Sequence, residues 1–140
     1  MPELFAEKFK SLVPTYLDER WTPAEGIEPD RLDALLAEAR VSIPLALREF
    51  YLTLGSCEEL MEAYHFFWDP DELEVDEDGF LMFLEDENEE YTWGMRASDV
   101  ALPDPIVYRR HNARGQWISE DGTFTEFVFD HFEWVFDEED

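Results

Sequence analysis

The chain has 140 residues and carries 36 Asp and Glu against 10 Lys and Arg, a formal net charge of −26, so at least 26 carboxylates have no cation of their own. A field of that sign repels nucleic-acid phosphates and anionic membrane surfaces, which excludes direct binding to either and favours a basic partner. With 45% hydrophobic residues, including 12 Phe, 5 Trp and 5 Tyr, the chain has enough apolar surface for a core and reads as a single folded domain over 1–140.

The first helix is expected over Leu4 to Leu17, where Phe5, Phe9, Leu12, Val13 and Tyr16 form one stripe and Pro14 kinks it or ends its first part near Leu12. A turn-rich loop, Trp21 to Gly26, leads to a second helix that opens at Pro29 and turns Leu32, Leu35, Leu36 and Ala39 inward. The third opens at Pro44. It repeats Leu47, Phe50, Tyr51 and Leu54 at helical spacing, and Gly55 stands where a left-handed terminating residue belongs. Ser56 and Glu59 form a capping box for a short helix to about Tyr64.

From Glu72 the period becomes that of strands. Glu72 to Val75 and Phe80 to Glu85 make a hairpin around Asp76-Glu77-Asp78-Gly79, and further strands are expected at Tyr91 to Arg96, Ile106 to Arg110 and Gln116 to Ser119. The sheet should be antiparallel. A final helix is introduced by a capping box of Thr123 and Glu126, with Phe124, Phe127, Val128, His131, Phe132, Val135 and Phe136 on the face that covers the sheet. The acidic end, Asp137 to Asp140, meets an unfavourable helix dipole and is expected to fray. The fold class is therefore α+β.

No apolar stretch of signal-peptide type occurs in Met1 to Lys10 and no run of about 18 apolar residues occurs elsewhere, so a cytoplasmic protein is expected. The lone Cys57 has no cysteine with which to form a disulfide or a zinc site and reads as a small apolar residue. His65, His111 and His131 share no metal-ligand spacing, and His131 falls on an apolar stripe as a core histidine, so no metal or other cofactor is expected. Glu74, Asp76, Asp78, Gly79 and Glu85 nearly reproduce a calcium-loop spacing. With Glu in the first ligand position and strands as flanks, a charged hairpin turn accounts for them better, and a calcium-dependent module remains an alternative. Arg109, Arg110, His111 and Arg114 read as a loop that pairs with neighbouring carboxylates. The sequence holds no nucleophile elbow, phosphate-cradling glycine loop or reactive cysteine context, which argues against an enzyme.

Between Arg48 and Arg96 sixteen acidic residues occur without a Lys or Arg, and after Arg114 nine more. Aromatic anchors with acidic rims mark protein interfaces, and two such groups fall in or beside the cation-free stretch: Trp68 with Asp69, Asp71 and Glu72, and Tyr91 with Glu85, Glu87, Glu89 and Glu90. These nine are the candidate partner-binding residues, whereas Trp93 reads as core.

In order and spacing, a further set of segments resembles the SUKH superfamily, which includes a yeast cell-wall regulator and many bacterial immunity proteins that neutralise polymorphic toxins. They are Ile43-Pro44 followed by Leu47-Arg48-Glu49-Phe50-Tyr51 and Gly55; Asp71-Glu72-Leu73-Glu74-Val75; Gly79-Phe80-Leu81-Met82-Phe83 with Glu87-Asn88; Trp93-Gly94-Met95; Asp104-Pro105-Ile106-Val107-Tyr108; and Thr125-Glu126-Phe127. The resemblance spans roughly residues 26–132 and departs from the family at Leu54-Gly55, where Asn-Gly is common, and in the acidity of Glu89-Glu90. It implies helices packed on a mostly antiparallel sheet and a non-catalytic binding scaffold. The expected function is thus an immunity protein that docks an acidic face over a basic toxin, for instance a nuclease domain. The rival expectation is a nucleic-acid mimic that sequesters nucleic-acid-binding proteins.

Overall fold

The computed structural model describes residues 2–17, 20–61, 66–86 and 88–137, with side chains described for these except 2–4, 58–59 and 135–137. Expectations for Tyr64, His65, Glu87, the side chains of Glu59, Val135 and Phe136, and the fraying of residues 138–140 lie outside the described residues.

The chain forms a mixed α+β fold of helices and a six-stranded antiparallel sheet. At the N-terminus the stretch expected as a helix whose first part ends near Leu12 is divided there into α1 (Pro2–Lys10) and α2 (Leu12–Tyr16). Pro14 has no N–H for the carbonyl of Lys10, and the pieces meet at Ser11, whose N–H still donates to Glu7 (3.3 Å), whose carbonyl accepts from Thr15 (3.2 Å) and whose hydroxyl donates to the carbonyl of Lys8 (2.5 Å). Both pieces keep the stripe: Phe9, Leu12 and Val13 are fully or almost fully buried.

Next come α3 (Pro29–Ala39), with Pro29 in its first turn, and α4 (Leu45–Leu54), whose Leu47, Phe50, Tyr51 and Leu54 are completely buried. Gly55 does not terminate α4 in the left-handed region, for its φ is −61°. It is glycine because of crowding: a Cβ there would stand 2.5 Å from Ile27 Cδ1. The short α5 (Glu58–Met61) starts one residue later than a Ser56 cap requires, leaving Cys57 before its first turn.

The sheet runs β1-β3-β4-β5-β6, with β2 sharing the β1 side of β3. β1 (Phe66–Phe67) pairs with the end of β3 (Phe80–Glu85), and β2 (Glu74–Val75) with its start. The expected strand at Glu72 begins two residues late because Asp69 and Glu72 form a reciprocal cap around a 3-10 turn, Pro70–Glu72. β4 (Tyr91–Arg96) lies centrally between β3 and β5 (Ile106–His111), and β6 (Gln116–Thr123) forms the far edge. Arg109 and Arg110 therefore lie on the expected strand, which continues to His111, and not in the loop that their cluster suggested.

Helix α6 (Phe124–Asp137) begins where the sequence places it. Glu126 accepts from the Thr123 N–H (3.1 Å), while the Glu126 N–H donates back to Thr123 Oγ1 (3.4 Å). Two further bonds tie this end to the entrance of β5: the Phe124 N–H donates to Pro105 (2.8 Å) and the Thr125 N–H to Asp104 Oδ1 (2.9 Å). Phe124, Val128 and Phe132 are completely buried, and edge-on ring contacts join Phe124 to Phe9, Phe50 and Phe83. One core thus lies between the inner sheet face and α1, α4 and α6. A bulge in β3 between Met82 and Leu84 directs two successive residues, Phe83 and Leu84, into it.

The outer sheet face is clothed by its own side chains. Phe80 stacks on Trp117 (4.4 Å between centroids) and meets Tyr108 edge-on (5.2 Å), while Arg110 and Arg96 lie over Trp117 and Tyr108. Trp117 reaches across Gly94, where a Cβ would approach both its ring (3.2 Å) and the carbonyl oxygen of Leu81 (2.6 Å). The calcium-like loop is a hairpin turn whose Asp76 is engaged on both oxygens. Oδ1 accepts the N–H groups of Asp78 and Phe80, and Oδ2 accepts from Arg110 (3.1 Å) and Trp117 (2.8 Å). Among the described residues no helix is long and apolar enough to cross a membrane.

Candidate functional site: an acidic groove with an aromatic floor

Alternation along a strand decides what β4 presents. Tyr91 and Trp93 share its inner face, while Thr92 points outward beside Arg110 and Asn112. Across from β4, α6 offers Phe127, His131 and Trp134, and residues 126, 130 and 134, one turn apart, follow the same edge. Between α6 and strands β4–β6 lies a groove of about 610 Å³.

Its floor is a continuous run of rings. Trp93 lies 6.2 Å from Tyr91 and 6.1 Å from Phe127; Phe127 stacks on His131 at 5.9 Å; His131 lies 6.5 Å from Trp134. His131 and Trp93 are only 7% exposed, whereas Trp134 is 44% exposed and stands at the rim. The expectation of a core position holds for both buried residues, yet each also lines the groove.

Carboxylates surround that floor: Asp86 and Glu90 from the β3–β4 loop, Glu120 and Asp121 from β6, and Glu126 and Asp130 from α6. The β6 pair is placed by a second irregularity, where the register with β5 shifts between Tyr108 and Ile106 and Asp121 adopts a left-handed φ of 61°. The β3–β4 loop is held to the end of β5 by Asn112, whose amide donates to the Glu89 carbonyl (2.7 Å) and whose Oδ1 accepts from Thr92 (2.9 Å) and Arg110 (3.2 Å). Arg109 is the one Lys or Arg lining the groove among the described residues. Its guanidinium lies 5.0 Å from the Tyr91 ring centre, with Nε 3.9 Å from Glu120 Oε1, while Trp93 Nε1–H donates to Glu120 Oε2 (3.2 Å).

Such a site offers negative charge in a partly water-excluded cleft together with ring faces, the combination that attracts organic cations. No Ser, Thr, Cys or Lys stands among the described lining residues; the polar groups there include the carboxylates, the Tyr91 hydroxyl, His131, Asn88 and Arg109.

Of the nine expected binding residues, the eight that are described do not form one surface. Glu90 and Tyr91 enter the groove. Trp68, Glu72 and Glu85 line a separate cleft with Phe66 and Glu74, while Asp69 serves the cap of the 3-10 turn and Asp71 is exposed on it. Glu89, with a φ of 58°, lines neither the groove nor that cleft. Trp68 is half-buried; its carbonyl accepts from the Tyr51 hydroxyl (2.6 Å). Burial pushes the Tyr51 hydroxyl well above its ordinary pKa, and Asp69, Glu72 and Asp71 push it further, so it remains a donor. Glu85 is also raised, by burial first and then by Glu89, against the lowering effect of Arg110.

What sequence reasoning missed is Glu120, Asp121, Glu126, Asp130 and Trp134. The i, i+4, i+8 series Glu126, Asp130, Trp134 was a visible signal for one wall; the β6 contribution depends on an irregularity that has no period. No family model matches the chain, and neither curated proteins nor solved structures give a significant match to it.

Proposed function

We propose that the chain is a non-catalytic binding module that captures a cationic segment of a basic protein in the groove between α6 and strands β4–β6. The observation that carries this reading is six carboxylates ringing a five-ring floor in a chain of net charge −26. Complementary charge accelerates capture and selects the partner, while the rings supply the desolvated contact that slows release. The resemblance to the SUKH superfamily supplies the biological setting. The partner is a toxin with a basic surface, and the module neutralises it by covering its working face.

The test begins with a photo-crosslinking residue at position 134 to identify the partner in the native cell, followed by association kinetics with that purified protein. Replacing Glu90, Glu126 and Asp130 together by Gln should slow association and flatten its salt dependence, whereas Trp134→Ala should mainly speed dissociation. If the triple variant associates at an unchanged rate with an unchanged salt slope, the groove is not the docking face. If Glu85, Glu89 and Glu90 replaced by Gln alter the rate while Glu126 and Asp130 do not, docking belongs to the β3–β4 loop.

A further inference from the structure

Three observations about Arg109 say more about what the groove accepts. Its guanidinium lies over the Tyr91 ring at 5.0 Å, so one seat on the floor already holds a cation of this chain. Glu120, which faces it, is oriented by a different residue: Trp93 Nε1–H fixes Oε2 at 3.2 Å and leaves Oε1 3.9 Å from Arg109 Nε, too far for a hydrogen bond. The Arg109 side chain is also 42% exposed. The seat is therefore built independently of its occupant, and the occupant is held by one long ion pair and one exposed ring contact.

Resting on the reading of the groove as a cation site, we propose that the partner anchors itself through an arginine side chain, which takes the seat between Tyr91 and Glu120 and displaces Arg109 from it. Arginine fits for two reasons. A planar guanidinium can lie flat on a ring face, which a strongly hydrated ammonium does less well, and Arg109 already places a guanidinium over Tyr91. Its five N–H donors can also be shared among several carboxylates, and Asp86, Glu90 and Asp121 line the same groove as Glu120. A cleft of about 610 Å³ has room for such a side chain and the backbone that carries it. Arg109 then acts as a weak internal competitor, lowering affinity for sequences that cannot displace it.

The test uses two capped pentapeptides, acetyl-Gly-Arg-Gly-Arg-Gly-amide and its lysine counterpart, titrated calorimetrically into the intact protein at low salt. The arginine peptide should bind more tightly by about threefold or more, and Arg109→Gln should tighten it about threefold to tenfold, the combined worth of an exposed ion pair and an exposed ring contact. Arg109→Met keeps the apolar stem and should do the same, guarding against a folding defect in the Gln variant. Glu120→Gln retains an acceptor for Trp93 and should weaken the arginine peptide. Equal binding of the two peptides overturns the choice of arginine while leaving a cation-binding groove intact. Weaker binding by both folded Arg109 variants overturns the displacement. Failure of both peptides to bind wild-type protein, or binding indifferent to Glu126→Gln and Trp134→Ala, removes the seat and the proposed function together.

Discussion

Gly26 supports a severe stability test because its conformation and its surroundings make opposite demands. Its φ of −104° and ψ of 168° suit any residue, so conformation alone would permit alanine. The space does not: a Cβ would stand 1.7 Å from the carbonyl oxygen of Leu52 and 2.6 Å from its carbon, both backbone atoms of α4. Gly26→Ala must therefore push the segment preceding α3 away from the helix. Three bonds cross that contact: Ile27 N–H to Tyr51 (3.0 Å), Ser56 N–H to Glu25 (2.9 Å) and Trp21 Nε1–H to Thr53 (2.8 Å). Overpacking costs about 1–3 kcal/mol, and losing one or two of these bonds adds about 0.5–1.5 kcal/mol each. A total of about 1.5–6 kcal/mol is expected, a large part of the roughly 5–15 kcal/mol that holds a domain together. Urea unfolding at fixed salt, comparing midpoints at unchanged slope, measures it. Gly79 is the control, because its φ of 85° is left-handed but nothing lies within 4 Å of its missing Cβ; alanine there should cost only about 1 kcal/mol. A Gly26 variant within about 1 kcal/mol of wild type would refute the argument from close approach.

Phe132→Ala should destabilise by about 3–5 kcal/mol, since the ring is completely buried against Phe67 and His131. Phe129, partly buried and stacked on Phe9, should cost clearly less, and equal effects in denaturant melts would contradict the placement of α6. Glu85 gives a pH prediction. Its folded pKa is raised, so the folded state holds the proton more tightly than the unfolded chain, and stability falls as pH rises from the ordinary value of 4.5 through the folded value. Glu85→Gln should therefore stabilise the protein at pH 7 and confer almost nothing at pH 3.5. An advantage that persists at pH 3.5 would show that burial and repulsion of the charge are not its cause.

Elements with a sustained period were legible in the sequence. β3 and β4 have the expected limits, α4 buries its expected stripe, α6 buries Phe124, Val128, His131 and Phe132 of its stripe with Phe127 half-buried, and α3 buries Leu32 with Leu35, Leu36 and Ala39 half-buried, because amphipathic alternation depends only on neighbours along the chain. β1 was not legible: two residues carry no period, and Phe66–Phe67 is a strand only because the end of β3 offers it partners. The site was half legible for a similar reason. Acidity and aromatic richness pointed to Glu90 and Tyr91, but the groove also needs the outward step of β6 at Glu120 and Asp121 and the far side of α6. The other expected anchor, Trp68, shares its cleft with Glu72 and Glu85 because β1 and β2 flank the same strand edge.

Asp76 carries a consequence for how the molecule comes apart. This hairpin-turn carboxylate closes its own loop through the N–H groups of Asp78 and Phe80, then reaches Arg110 and Trp117, 34 and 41 residues further along the chain. The local bonds can form as soon as the turn does, whereas the distant ones require β4, β5 and β6 to be assembled. One side chain thus takes part in both an early and a late event of folding. If its distant half is fastened after the rate-limiting step, removing it should speed the peeling of β5 and β6 from the sheet, and so shorten the lifetime of the native state, more than it slows folding.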